Sequence, residues 1–131
     1  MGAADPRLLP KSAGFFFPGA AAPADRITSL EGAASAGTVT IKPMVVGDHM
    51  LLIEIFQEKG VRVPEHAHGD HESMVYLVKG SMKLVIDGQE FVARAGDAWR
   101  HPPGVVHWSE TLEDCVSIEI KSPPRKTWTG A

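Results

Sequence analysis

Gly60-Val61-Arg62-Val63-Pro64-Glu65-His66-Ala67-His68-Gly69-Asp70-His71-Glu72 packs three of the chain's six histidines into one hexapeptide and follows them at once with a carboxylate. Side chains two apart on an extended segment share a face, so His66 and His68 can offer ring nitrogens to one ion. Glu72 or His71, close behind, is placed to extend such a set. Histidine-rich acidic loops also occur as plain solvated connections. A second segment weighs against that reading: Gly96-Asp97-Ala98-Trp99-Arg100-His101-Pro102-Pro103-Gly104-Val105-Val106-His107 ends in a histidine just behind a Pro-Pro-Gly corner. Such a corner is a tight turn, and a tight turn aims the side chain that follows it.

Outward from these segments the chain reads as short β-branched or aliphatic runs separated by turn residues, and no stretch holds a helical period. The pattern predicts an all-β core with strands at Thr38 to Pro43, His49 to Gln57, Ser73 to Lys79, Ser81 to Ile86, Gln89 to Arg94, Asp97 to His101 and Cys115 to Lys121. Asp87-Gly88, between Val85-Ile86 and Glu90-Phe91, is a hairpin signal, because both turn positions want positive φ and this pair tolerates it. Many short strands in one small domain suggest a sandwich or jelly-roll barrel, which shortens exposed edges by wrapping the sheet. Residues 1–37 are crowded with Ala, Gly and Pro and read as an irregular arm, leaving 38–131 as a single barrel domain. Phe15-Phe16-Phe17 in that arm calls for burial, against its own subunit or in a dimer contact.

The two histidine segments fit, at every fixed position, the patterns G-x5-H-x-H-x3-E and G-x5-P-x-G-x2-H, and so the chain resembles the cupin superfamily. The resemblance implies a jelly-roll barrel holding one divalent ion in its mouth through His66, His68, His107 and a fourth group. Counting forward from His68 puts the family's glutamate at Glu72, whereas counting back from Gly80 puts the ligand position at Ser73. Strand alternation sets His71, Ser73, Val75 and Leu77 on one face and Glu72, Met74 and Tyr76 on the other. If the apolar Val75 and Leu77 face inward, so does His71; a bulge between Glu72 and Met74 would reverse this. The fourth position therefore stays open between Glu72, His71 and water. Any of these leaves a coordination position free, as in a catalytic metal site.

Within the superfamily the chain is similar to small single-domain cupins of the pectin-degradation type, which open the ring of unsaturated uronic sugars. The features are Val63-Pro64-Glu65-His66-Ala67-His68, His71-Glu72-Ser73, Tyr76 and Ser122-Pro123-Pro124-Arg125. Ser73 stands where that type has a glutamine ligand, and a hydroxyl is a poor substitute for an amide carbonyl. That type also sets an acid, an aromatic and the arginine of its S-P-P-R segment near the substrate. Arg125 matches, Glu119 is a longer acid, and Lys121 replaces the aromatic. Glu119 and Lys121 alternate on one strand face, where they can meet an anionic substrate or pair with each other in a surface salt bridge. Arg125 suits bidentate binding of a carboxylate.

A length of 131 residues suits one ordinary domain, and a net charge of −3 gives no basic stripe for nucleic acid. No apolar run approaches a membrane span, since Phe15-Phe16-Phe17 is cut off by Pro18 and Gly19. The N-terminus lacks the cationic start and apolar block of a secretory signal, so cytoplasm is the expectation. The single cysteine, Cys115, reads as a buried small hydrophobe in a reducing compartment. His101 reads as a rim or packing residue, His49 as surface, Met74 and Met82 as core filler, and Trp99, Trp108 and Trp128 as core or interface residues, Trp108 also being placed to line the mouth.

The combined reading is a metal-dependent, non-redox enzyme of lyase or isomerase type acting on a small polar acid or sugar acid. Its ion is iron, zinc, nickel or manganese, Glu119 and Arg125 are its catalytic candidates, and it works as a homodimer. The alternatives are an iron-dependent dioxygenase and a small-ligand binding or sensing module without turnover.

Overall fold

The computed structural model describes residues 7–30, 33–34 and 37–130. Regular structure is almost wholly β: β1 (Asp25–Leu30), β2 (Ala33–Ala34), β3 (Val39–Val46), β4 (Leu51–Gln57), β5 (Arg62–His66), β6 (Glu72–Lys79), β7 (Ser81–Ile86), β8 (Gln89–Arg94), β9 (Ala98–His101), β10 (His107–Thr111), β11 (Cys115–Ser122) and β12 (Trp128–Gly130). No helix of the described residues is long and apolar enough to cross a membrane.

The strands form the expected jelly-roll as two antiparallel sheets. One runs β12-β1-β3-β4-β11-β6-β9 with β2 beside β1; the other runs β5-β10-β7-β8. Two apolar clusters fill the space within, one around Val39, Ile41, Leu51, Ile53, Val61 and Val63, the other around Leu77, Met82, Leu84, Ala93 and Cys115. The β7–β8 hairpin turns at Asp87 and Gly88 with φ of 52° and 75°, as their sequence predicts. Gly80, between β6 and β7, has φ of 96°, and a Cβ there would lie 2.7 Å from the Cys115 Sγ and closer still to the Asp114 carbonyl. Cys115 is fully buried, and that burial pushes its thiol pKa up, which keeps it unreactive.

Five strands lie outside the sequence reading. The barrel begins at Asp25 rather than Thr38, because β1 borders β3 and pairs with β12 across the ends of the chain. β5 and β10 carry the two histidine segments, whose Pro, Gly and polar content hides their strand character from propensity. The arm before β1 lies on its own barrel: Leu9 N–H donates to the Pro124 carbonyl, Ser12 N–H to Val46 and Lys42 Nζ to Gly19, each at 3.0 Å. Phe17 is half-buried there, while Phe15 and Phe16 are exposed.

Two strands carry apolar side chains on their outward faces. On β11 the polar Ser117, Glu119 and Lys121 point into the barrel and the apolar Val116, Ile118 and Ile120 point out. On β6, Ser73, Val75 and Leu77 point in while Met74, Tyr76 and Val78 are exposed, so Met74 is a surface residue and only Met82 serves as core filler.

Candidate metal centre

His66, His68 and His107 converge, with one ring nitrogen from each lying within 4.8 Å of the others. Local backbone geometry produces this. Along β5 and β10, Val63 faces Ser109 and His66 faces His107, three steps on one strand against two on the other. The extra residue is a bulge. Without it the inward positions Val61 and Val63 would be followed by Glu65, which is exposed; with it His66 turns inward opposite His107.

Backbone carbonyls then orient two of the rings. His66 Nδ1 lies 2.8 Å from the Pro64 carbonyl and His107 Nδ1 lies 3.1 Å from the Val105 carbonyl. A carbonyl only accepts, so each Nδ1 carries the proton and each Nε2 is left as the lone-pair donor. Burial, with the charge of Lys121 and the neighbouring imidazoles, pushes the pKa of His68 far down, and burial with His101 and His66 pushes His107 down to about 3. At neutral pH both rings are neutral, the form that binds a metal. Tautomer, protonation and spacing thus fit a divalent cation.

His101, read from sequence as a rim or packing residue, packs in the wall of the site. It is 9% exposed and stacks on His107 with centroids 3.7 Å apart and planes 6° from parallel. Burial holds its pKa down at about 4. Its Nδ1 lies 3.1 Å from the Ser73 hydroxyl, which also bonds to Glu119. A carboxylate only accepts, so Ser73 donates to Glu119 and accepts from His101 N–H. Glu119 takes a further bond from Lys121 Nζ at 3.2 Å, inside the barrel rather than in a surface salt bridge. Burial alone would raise the Glu119 pKa, but the charge of Lys121 and the hydrogen bonds from Lys121 and Ser73 outweigh it and hold it below the ordinary value.

The remaining candidates lie elsewhere. The register of β6 against β11 runs without a break from Leu77 to Glu72, so no bulge reverses the alternation. Glu72 therefore faces outward, exposed, with its carboxylate 3.6 Å from Arg100. His71 faces inward and is buried; its ring lies 4.4 Å from that of His68 and its Nδ1 2.9 Å from Asp70 Oδ1, outside the three-histidine group. Arg125 meets a carboxylate of the chain itself, donating to the Asp70 carbonyl at 2.5 Å with its Nε 3.7 Å from the Asp70 side chain. Arg7 pairs with the same carboxylate. Arg125 thus ties the end of the chain to the histidine loop and is not among the residues lining the cavity. His49 is exposed, as its lack of a partner in sequence suggests.

The cavity beside the histidines measures about 80 Å³. Its polar wall is His66, His68, His101, His107, Glu119 and Lys121; its apolar wall includes Val63, Val75, Leu84, Trp99 and Trp108. Sequence reasoning offered Trp108 as a mouth residue and Ser73 as the position of a replaced ligand, but it read His101 only as a rim or packing residue and did not join it to Ser73. The signal available was that both occupy inward positions facing each other across β6 and β9.

The chain matches the cupin domain family over residues 52–119. Among curated proteins it is 29% identical over 79 residues to the pectin degradation protein KdgF of Dickeya dadantii (strain 3937), a match covering 60% of this chain and 72% of that one. Among solved structures it is similar to an RmlC-like cupin from Shewanella frigidimarina NCIMB 400, with TM-score 0.75, 26% identity, and 88% of this chain and 96% of that one covered. KdgF from Halomonas sp. aligns with TM-score 0.64 and 24% identity over 66% of this chain and 82% of that one.

Proposed function

The chain belongs to the cupin family, and on that premise we propose that it is a metal-dependent, non-redox enzyme of lyase or isomerase type acting on a small polar acid or sugar acid. The observation that carries this reading is the convergence of the His66, His68 and His107 nitrogens beside a buried, ionised Glu119. These three histidines would hold the ion, with Glu72 and His71 outside their group. When bound, a divalent ion supplies Lewis acidity toward a carbonyl or carboxylate oxygen.

The chain's own residues do the rest. Glu119 is the acid-base candidate, because an ionised carboxylate lining the cavity can take a proton from a bound substrate at Oε1 or Oε2. Lys121 and Ser73 keep it ionised and oriented. His101 stiffens His107 by stacking, and Trp99 and Trp108 keep water from the apolar wall. Arg125 works as a positioning residue that clamps the histidine loop through Asp70. Similarity to a pectin degradation protein supports an acidic, sugar-derived substrate class.

We also assign a homodimer. The exposed Met74, Tyr76 and Val78 on the outward face of β6, beside Ile118 and Ile120 of β11, support it, as do the exposed Phe15 and Phe16. Cys115, free and buried, supports a reducing compartment such as the cytoplasm.

The test is turnover of unsaturated uronates and of short hydroxy and keto acids by metal-loaded protein with and without air. Turnover that survives exclusion of air and stops on chelation upholds the non-redox reading. Turnover that requires iron and oxygen replaces it with a dioxygenase.

A further inference from the structure

We infer that Lys121 is the carboxylate anchor of the cavity, holding the carboxylate of the acid that enters beside the histidines. This deepens the proposed function and rests on its placement of substrate beside the histidines. Two cations were candidates for holding a substrate carboxylate. Arg125 is engaged outside the cavity with Asp70, whereas Lys121 lines the cavity wall with its side chain 3% exposed. An ammonium has three donors, and Glu119 takes one of them at 3.2 Å.

Lys121 also sits where a barrel strand ordinarily carries an apolar side chain. It faces Ser73 across β6 and Leu51 across β4. Taking an ammonium out of water is costly even when it is paired, and an apolar residue of similar volume is often as stable or more so. A buried cation aimed at a cavity is therefore accounted for by what enters the cavity.

An acid that enters the cavity can set its carboxylate on Lys121 and its chain against Val75 and Trp99.

The experiment titrates lactate and its neutral counterpart lactamide into protein as purified, by calorimetry, with metal content measured on the same samples. The expected result is that lactate binds and that lactamide does not. In Lys121→Met, lactate affinity falls about tenfold to hundredfold, the loss of one charge-assisted hydrogen bond, while metal content is unchanged. Lys121→Arg restores part of the affinity. Should Lys121→Met unfold because Glu119 is stranded, the double variant Glu119→Gln, Lys121→Met carries the test with no lone buried charge. Lactate binding of wild-type strength in these variants, no lactate binding in the wild type, or lactamide bound as tightly as lactate overturns the inference. Lysine-dependent lactate binding by protein that holds no metal upholds the anchor and overturns the metal reading instead.

Discussion

The amide of Gly104 donates to the carbonyl of His68 at 2.7 Å, bonding the corner ahead of His107 to the loop that carries His66 and His68. Two histidine segments far apart in sequence are thereby held at a fixed separation. Gly104 has φ of 79°, a conformation that side-chain-bearing residues resist. Gly104→Pro removes the donor and cannot adopt that φ. It is expected to weaken metal binding by ~10- to 100-fold, the usual effect of losing a partner that orients a ligand, with the β-sheet circular dichroism retained. Competition with a chromophoric chelator measures it; unchanged affinity would mean the bond does not set the site.

The buried imidazoles make metal-free protein acid-sensitive. His101 and His107 hold pKa values of about 4 and about 3, both below the ordinary value of 6.5. Folded, they stay neutral; unfolded, they take protons as pH falls below 6.5. Stability is therefore fully present above that pH and is lost as pH falls toward 4 and 3. At pH 5 the loss is about 2 kcal/mol per histidine relative to pH 7. Urea denaturation at the two pH values checks this, and His101→Phe is expected to show a smaller loss than the wild type.

Glu119 and Lys121 form a buried pair that is costly to break and tolerable to remove. Glu119→Leu alone is expected to destabilise by about 3–5 kcal/mol, because Lys121 is left buried and unpaired. Glu119→Leu with Lys121→Met is expected to cost clearly less than the two single changes combined. Thermal melts of the three variants decide this; simple additivity would mean the pair is solvated and not a buried unit.

The outward face of β6 and β11 predicts association. Wild-type protein is expected to run as a dimer in light scattering, and Tyr76→Lys with Ile118→Lys to run as a folded monomer. A monomeric wild type would assign that face to some other partner.

Much of the site was legible because its signal is local. Spacing and the cupin resemblance joined His66, His68 and His107, and alternation offered His71 inward and Glu72 outward if Val75 and Leu77 faced the core, as they do. The DG turn named its own hairpin. What escaped was set by partners distant in sequence. β5 and β10 are strands because each completes the other's ladder, despite Pro64 in one and a histidine at the start of the other. Residues 25–30 looked like part of an irregular arm because their strand exists only through pairing with β3 and with β12 near the other end of the chain. β11 was half legible: Glu119 and Lys121 read as sharing a face that could meet an anionic substrate or pair at the surface, and only the packed sheets put Ser117, Glu119 and Lys121 inside. Arg125 looked free to bind substrate because nothing in the sequence brings Asp70 to it.

The most direct test is elemental analysis of untagged protein purified without added metal, as wild type and as His66→Ala, His107→Ala, His71→Ala and Glu72→Gln. About one equivalent of a divalent ion in the wild type is expected, as in a mononuclear histidine site, lost in the first two variants and kept in the last two. No ion in the wild type, with none taken up on titration, or an ion that survives His107→Ala, would contradict the three-histidine centre.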